Sequence, residues 1–225
     1  MADVPYQPTD RRPIKARGWW VCEWMARWLA ARGASANSIS VAGMVCGILA
    51  GISLALTGQT GTWHQVAWLG AAVLIQLRLL ANLLDGMVAI ESGRASRVGE
   101  LYNEVPDRVS DTATIVGAGY ALGGDIILGF AAACVAVFTA YIRATGKAAG
   151  APQQYCGPMA KPHRMALLTA ISVFCGVTPT TWQITFDSVG HGLVTIGLWM
   201  IVIGGLITSI RRLAKTAAFL KGNTT

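Results

Sequence analysis

Charged residues are scarce in this sequence. Only 13% of its 225 residues are Asp, Glu, Lys or Arg, whereas 53% are hydrophobic. A soluble domain usually contains about 25% charged residues. The composition therefore argues against a soluble globular protein and favours a membrane protein.

The sequence also lacks the cysteine and histidine patterns of disulfide or zinc sites. Its five cysteines include no CxxC pair, and it has three histidines. An odd number of cysteines without regular spacing argues against a disulfide framework and against a zinc site. The net charge of +7 comes from basic residues at the ends of apolar segments, where anionic membrane lipids are the expected partners. Nothing resembles a nucleic-acid-binding module, so no nucleic-acid partner is expected.

Six apolar runs follow one another along the chain, each close to the ~20 residues that cross the hydrocarbon core of a bilayer. The runs cover residues 38–57, 64–84, 108–122, 126–143, 165–180 and 189–208. Because backbone groups in lipid must be hydrogen-bonded within the segment, each run is predicted to be helical. The sequence thus predicts an all-α, polytopic membrane protein with six transmembrane helices in one domain over residues 34–210.

Two further segments precede this domain. Residues 1–17 are polar and basic and are interpreted as a flexible tail. In residues 18–33, Trp20, Trp24 and Trp28 recur every four residues, so they share one face of a helix. This pattern is typical of an amphipathic helix that lies in the membrane interface, and it is equally compatible with a helix that packs on the bundle.

The distribution of Lys and Arg predicts the orientation. Apart from Arg78, these residues lie in the two N-terminal segments up to residue 33, in the regions 85–108 and 143–164, and in a second basic tail over residues 211–225. Basic segments usually face the cytoplasm. Both termini and both basic loops are therefore predicted to be cytoplasmic.

Oxygen-bearing side chains cluster around the end of the second run. Asn82 and Asp85 are three residues apart, and Asn103, Asp107 and Asp111 are spaced by four, so each set shares a helix face. Two such faces together would form a pocket whose ligands suit Mg²⁺, Mn²⁺ or Ca²⁺. A hard divalent cation is what a pyrophosphate substrate requires. The alternative is that these residues only cap helix ends at the interface.

The same segment resembles the signature of the CDP-alcohol phosphatidyltransferase family. The signature reads Asp-x-x-Asp-Gly-x-x-Ala-Arg and, after a gap, Gly-x-x-x-Asp-x-x-x-Asp. The residues that match it in register are Asp85, Gly86, Ala89, Gly99 and Asp107. A second stretch, which begins at Asn37, is similar to the start of the family's first span. The resemblance covers about residues 18–210.

The resemblance implies an activity and a role for each matching residue. Members transfer a phosphatidyl group from CDP-diacylglycerol to a small alcohol, release CMP and use Mg²⁺ or Mn²⁺. It implies that Asp107 is the catalytic base and, with Asp85, a metal ligand. The other residues assigned to the metal site are Asn82, Asn103 and Glu104, and those assigned to binding the CDP-lipid are Asn37, Gly86, Ala89 and Gly99. By the same analogy, a homodimer is one arrangement to test.

The departures from the signature leave several interpretations open. Asn82 and Asn103 stand at two aspartate positions, and Ile90 stands at the arginine position. The site could hold one metal instead of two, it could recruit substitute carboxylates, or the protein could be a catalytically weakened relative. The candidate substitutes are Glu100, Glu104 and Asp111. An active variant is favoured because these carboxylates lie close to the missing ones.

Basic residues after the fourth run indicate the kind of acceptor. Arg143 and Lys147 are four apart, and Lys161 and Arg164 precede the fifth run. Together they predict a cationic cup for a phosphorylated alcohol, with glycerol 3-phosphate favoured and inositol phosphate, inositol or serine as alternatives. They would also be ordinary residues at cytoplasmic helix ends. A non-enzymatic protein that binds a lipid nucleotide and a transporter are the rival functions, and the expected location is a bacterial inner membrane.

Overall fold

The computed structural model describes residues 15–58, 63–93, 97–186 and 190–222. The described residues form seven α-helices and no β-strand. The helices are α1 (Trp20–Ala31), α2 (Ala36–Leu56), α3 (His64–Glu91), α4 (Arg97–Tyr120), α5 (Ile126–Ala148), α6 (Lys161–Val177) and α7 (Leu193–Gly222). The prediction of an all-α protein is confirmed.

Four helices in the described part of the chain are long and apolar enough to cross a membrane, namely α2, α3, α5 and α7. They coincide with four of the six apolar runs. The other two runs fall on α4, whose first half is polar, and on α6, which has 17 residues. The fold therefore establishes four candidate spans, and the count of six is not confirmed.

The helices near the polar cluster are longer than the apolar runs. Helix α3 continues to Glu91, so Asp85 lies inside a helix. Helix α4 begins at Arg97 and contains Pro106, which removes one helical hydrogen bond without ending the helix. Helix α7 continues to Gly222, so most of the segment interpreted as a C-terminal tail is helical. Residues 1–14 of the predicted N-terminal tail and residues 223–225 lie outside the described residues.

Small residues bring α2 close to its neighbours. Gly43 lies against α3, and Gly47 and Gly51 lie against α4, where Gly117 packs directly on the backbone of Gly51. Packing of this kind requires the absence of a side chain because the two backbones are in contact. It holds α2, α3 and α4 together at the point where the polar residues of the sequence cluster lie.

We expect Gly117→Ala to destabilise the bundle by about 1–3 kcal/mol, which is typical of overpacking. A Cβ atom at Gly117 would lie 2.5 Å from the Cα atom of Gly51, and a backbone cannot move aside as a side chain can. The measurement is thermal unfolding of the purified protein in detergent. Gly70→Ala is the matched control, because a Cβ atom there meets only the Ser53 Oγ atom at 3.3 Å. Equal unfolding temperatures for the two variants would contradict the prediction.

Helix α1 covers the end of α3. Ala26 packs against Leu84 and Val88, and Trp20 and Trp24 on the opposite side are 75% and 55% exposed. The helix predicted for residues 18–33 is therefore present, and it both packs on the bundle and presents tryptophans outward.

Candidate active site

A polar pocket lies where α2, α3 and α4 meet. It is lined by Ser40, Gly43, Met44, Arg78, Asn82, Asp85, Asn103, Pro106, Asp107 and Ser110. The structure thus brings together the four signature positions that the sequence places on two separate helix faces. Glycines of α2 allow the close approach of the helices around this pocket.

Asp85 is buried and is bonded to uncharged donors. Its Oδ2 atom accepts a hydrogen bond from the Ser40 hydroxyl at 2.6 Å, and its Oδ1 atom accepts one from the backbone N–H of Gly86 at 2.5 Å. Ser40 was not assigned to the site from the sequence. Its place in the stretch that begins at Asn37, which resembles the start of the family's first span, is the signal that could have indicated it.

Asp107 is bonded mainly to charged donors. Its Oδ1 atom accepts hydrogen bonds from Arg78 Nη2 at 3.1 Å and from Asn82 Nδ2 at 2.9 Å. Its Oδ2 atom forms an ion pair with Lys161 Nζ. The amide of Asn82 also donates to Asn103 Oδ1 at 3.1 Å and accepts from Lys161 at 3.1 Å. The two asparagines therefore join the carboxylate in one hydrogen-bond network.

Asp111 is held by two arginines. It accepts a hydrogen bond from Arg78 Nη2 at 2.7 Å and another from Arg164 Nη2 at 3.1 Å, and it is 2% exposed. It does not line the pocket. The carboxylate that was considered as a substitute metal ligand thus lies in an ion-pair network beside the pocket.

Glu104 faces Arg143 on the neighbouring helix. The guanidinium of Arg143 lies 2.7 and 2.6 Å from the two carboxylate oxygens, and Arg108 lies 3.3 Å away. Burial raises the pKa of the Glu104 carboxyl, but Arg108 and Arg143 outweigh it, so the pKa lies below its ordinary value. Glu104 therefore links α4 to α5 outside the pocket, and its assignment as a metal ligand stays a prediction.

The other predicted site residues surround the pocket without lining it. Arg164 donates to the backbone oxygen of Met159 as well as to Asp111, and Lys147 is exposed one turn beyond Arg143 on α5. The residues assigned to CDP-lipid binding, which also lie outside the pocket lining, are Asn37, Gly86, Ala89 and Gly99. The side chain of Glu100 lies outside the described residues.

The protein is an all-helical bundle with several apolar helices of membrane length and a polar pocket between three of its helices. These features define an integral membrane protein with a buried polar site. The model of the CDP-alcohol phosphatidyltransferase family matches residues 34–208, and the chain belongs to this family. Its members are membrane-bound transferases of phospholipid biosynthesis, and the family uses a divalent metal such as Mg²⁺ or Mn²⁺.

Similar sequences include a phosphatidylinositol phosphate synthase of Streptomyces avermitilis. It is 28% identical over 188 residues, which are 80% of this chain and 71% of the relative. The inner membrane protein YnbA of Escherichia coli is 24% identical over 149 residues, which are 66% of this chain and 72% of that protein.

Solved structures support the fold. A crystal structure of the phosphatidylinositol phosphate synthase of Mycobacterium tuberculosis with CDP-DAG bound has a TM-score of 0.67 at 19% identity and covers 87% of this chain and 93% of that one. The same enzyme in complex with manganese and citrate has a TM-score of 0.68 at 20% identity, with coverage of 87% and 88%.

The pocket offers ligands for one hard divalent cation. It is lined by the carboxylates of Asp85 and Asp107, the amide of Asn103 and the hydroxyl of Ser40. Mg²⁺ is usually bound by one or two carboxylates together with substrate phosphates. Among the residues that the structure describes, no three Asp, Glu, His or Cys side chains lie together as a metal site. The pocket therefore fits one cation completed by substrate oxygens, and it does not fit a centre built on four carboxylates.

Proposed function

We propose that the protein transfers a phosphatidyl group from a CDP-diacylglycerol-like lipid to a small phosphorylated alcohol and releases CMP. The observation that carries this proposal is the meeting of Asn82, Asp85, Asn103 and Asp107 in one pocket. These residues occupy the signature positions of a family whose model matches most of the chain. Two of them keep the carboxylates that a transferase needs.

Asp85 and Asp107 are the residues that would hold Mg²⁺ or Mn²⁺, with Asn82 and Asn103 as neutral oxygen donors. When bound, the cation would neutralise charge on the pyrophosphate oxygens. The asparagines supply no charge to balance a second cation, so this proposal assigns one metal to the site.

Asp107 is proposed to accept the proton of the acceptor hydroxyl. The hydroxyl oxygen then bonds to the phosphorus that carries the diacylglycerol, the bond from this phosphorus to the CMP oxygen breaks, and CMP leaves with that electron pair. Lys161 is the direct ion-pair partner of Asp107 Oδ2. We infer that Lys161 turns toward the acceptor phosphate during binding, which frees Asp107 to receive the proton.

The acceptor is proposed to carry a phosphate because basic residues flank the helices next to Asp107. Arg143 pairs with Glu104 only three residues from Asp107, and Lys161 contacts Asp107 itself. Together with Lys147 and Arg164, these cations would bind a phosphate monoester. Glycerol 3-phosphate and inositol phosphate share that group. Relatives named phosphatidylinositol phosphate synthases favour inositol phosphate over the glycerol 3-phosphate expected from the sequence.

The membrane arrangement completes the proposal. Helices α4 and α6 are proposed to cross the bilayer beside the four apolar spans, which would give six spans with both termini and the pocket on the cytoplasmic side. The acyl chains of the donor would remain in the lipid. A bacterial inner membrane is the proposed location, and a relative named as an inner membrane protein supports it.

The test is CMP release by the purified protein with CDP-diacylglycerol, Mn²⁺ and one acceptor at a time. The acceptors are inositol phosphate, glycerol 3-phosphate, inositol and serine. We expect release with a phosphorylated acceptor. We expect EDTA to abolish it, because removal of the cation leaves the negative charge of the pyrophosphate beside the pocket carboxylates without neutralisation.

Each outcome of this assay separates the candidate functions. Release with inositol or serine alone would reject the phosphorylated acceptor while keeping the transferase. Binding of CDP-diacylglycerol without release, by protein that unfolds cooperatively, would favour the non-enzymatic lipid-nucleotide-binding protein. If the protein neither binds CDP-diacylglycerol nor releases CMP, the proposed function is rejected.

A further inference from the structure

One buried side chain of the pocket has a donor group without a partner. Arg78 lines the pocket and is 1% exposed. Its Nε atom donates to Ser110 Oγ at 2.9 Å, and its Nη2 atom donates to Asp107 and Asp111. Its Nη1 atom has no hydrogen-bond partner among the residues that the structure describes. A buried donor of a charged group that lacks a partner is costly, so it calls for a ligand.

The charges around Arg78 point to an anionic ligand. Arg78, Lys161 and Arg164 form ion pairs with Asp107 and Asp111, and we name these five residues the buried ion cluster. The cluster contains three cations and two carboxylates, so it carries a formal excess of one positive charge, although each cation has a carboxylate partner. An anion that enters the pocket would compensate this excess.

Two members of the cluster have unpaired guanidinium donors, but only one of them lines the pocket. Arg164 Nε has no partner among the described residues, and it belongs to a side chain that does not line the pocket. The unpaired Nη1 atom belongs to Arg78, which lines the pocket beside Asn82 and Asp85. The position of Arg78, in addition to its unpaired donor, therefore favours Arg78 over Arg164 as the arginine that would bind a ligand in the pocket.

We propose that Arg78 binds a phosphate oxygen of the CDP-lipid donor through its Nη1 atom. This inference rests on the proposed function, because it takes the donor as the anion in the pocket. A guanidinium ion is permanently charged and forms strong hydrogen bonds to phosphate oxygens. It would supply positive charge to the pyrophosphate at a site where asparagines replace the carboxylates that a second cation would need. Its contacts with Asp107 and Ser110 hold it in that position.

Arg78→Lys tests the proposal, with CDP as the soluble probe of donor binding. Lysine keeps a positive charge for Asp107 and Asp111 but lacks the Nη1 donor. We expect the Kd for CDP, measured by calorimetry on the full-length protein in detergent with Mg²⁺, to rise about 10- to 100-fold, because hydrogen bonds to charged groups contribute about 1.5–3 kcal/mol. Arg212→Lys is the matched control, because Arg212 is a buried arginine of α7 that donates to backbone oxygens outside the pocket. We expect it to leave the Kd for CDP unchanged.

A second variant keeps the test decisive if Arg78→Lys does not fold. Ser110→Ala removes the acceptor that orients Arg78 Nε and keeps every charge in the cluster. We expect it to raise the Kd for CDP about 2- to 10-fold, the range for one neutral hydrogen bond.

The possible results separate this inference from the proposed function. Wild-type affinity for CDP in both Arg78→Lys and Ser110→Ala, in protein that still releases CMP, would mean that Nη1 serves only water, and it would overturn the role of Arg78 alone. An equal loss of affinity in Arg212→Lys would also overturn it, because the effect would then follow from the loss of any buried guanidinium. A wild-type protein that binds neither CDP nor CDP-diacylglycerol would overturn both proposals.

Discussion

Asp107→Asn is expected to lower the rate of CMP release by about 10²- to 10⁴-fold, which is the usual contribution of a positioned base. Asparagine has the same shape, and its carbonyl oxygen can still accept the hydrogen bonds that Arg78 and Asn82 donate to Oδ1. It cannot take up the proton of the acceptor hydroxyl. The measurement is the initial rate with CDP-diacylglycerol, Mn²⁺ and the acceptor that gives the highest wild-type rate.

The matched control is Asp125→Asn at the start of α5. Asp125 accepts a hydrogen bond from the backbone N–H of Leu128 at 2.6 Å, and an asparagine caps a helix equally well. We expect this variant to keep the wild-type rate. If Asp107→Asn keeps more than about one tenth of the wild-type rate, Asp107 is not the base. If it loses Mn²⁺ binding together with activity, its role as a metal ligand dominates.

The helices and the meeting of the signature residues could be predicted from the sequence. Apolar runs identify helices because lipid leaves the backbone no other partner. The spacing of Asn82 with Asp85 and of Asn103 with Asp107 puts each pair on one helix face, whatever the tertiary structure. The end of α3 and the start of α4 were harder to predict, because these turns carry polar residues that contact one another across the pocket instead of lipid.

The ion pairs of the pocket could not be predicted from the sequence. Asp111 contacts Arg78 and Arg164, which are 33 and 53 residues away along the chain. Such partners are determined by the packing of α3, α4 and α6, which helix periodicity does not predict. The sequence therefore offered Asp111 as a substitute metal ligand and Arg164 as a phosphate ligand, whereas the structure pairs them with each other. Their assignments to metal and acceptor stay predictions.

Asp111→Asn is expected to destabilise the protein by about 3–5 kcal/mol, the usual effect of removing one partner of a buried ion pair. Asp111 is the only carboxylate that Arg164 contacts among the described residues, and both side chains are 2% exposed. Its loss would leave the Arg164 guanidinium buried beside the backbone oxygen of Met159. For a chain of this length, the unfolding temperature should fall by about 6–20 °C. Thermal unfolding in detergent, followed by circular dichroism, measures it.

Asp85→Asn is the matched control for Asp111→Asn, because it removes a buried carboxylate that has no charged hydrogen-bond partner. Asp85 is 3% exposed, and its hydrogen bonds come from the Ser40 hydroxyl and the Gly86 N–H, which are uncharged. A neutral asparagine there leaves no buried cation without a partner. We expect its unfolding temperature to stay near that of the wild type. An equal fall in Asp85→Asn and Asp111→Asn would show that the ion pair is not the cause.

A double variant completes the argument for Asp111. If the damage in Asp111→Asn comes from the stranded guanidinium of Arg164, then Arg164→Met in the same chain should restore part of the stability, because an uncharged side chain of similar length then fills the space. Arg78 keeps Asp107 as its partner in that variant. If the two losses simply add, Asp111 and Arg164 contribute independently, and the buried ion cluster is not a coupled unit.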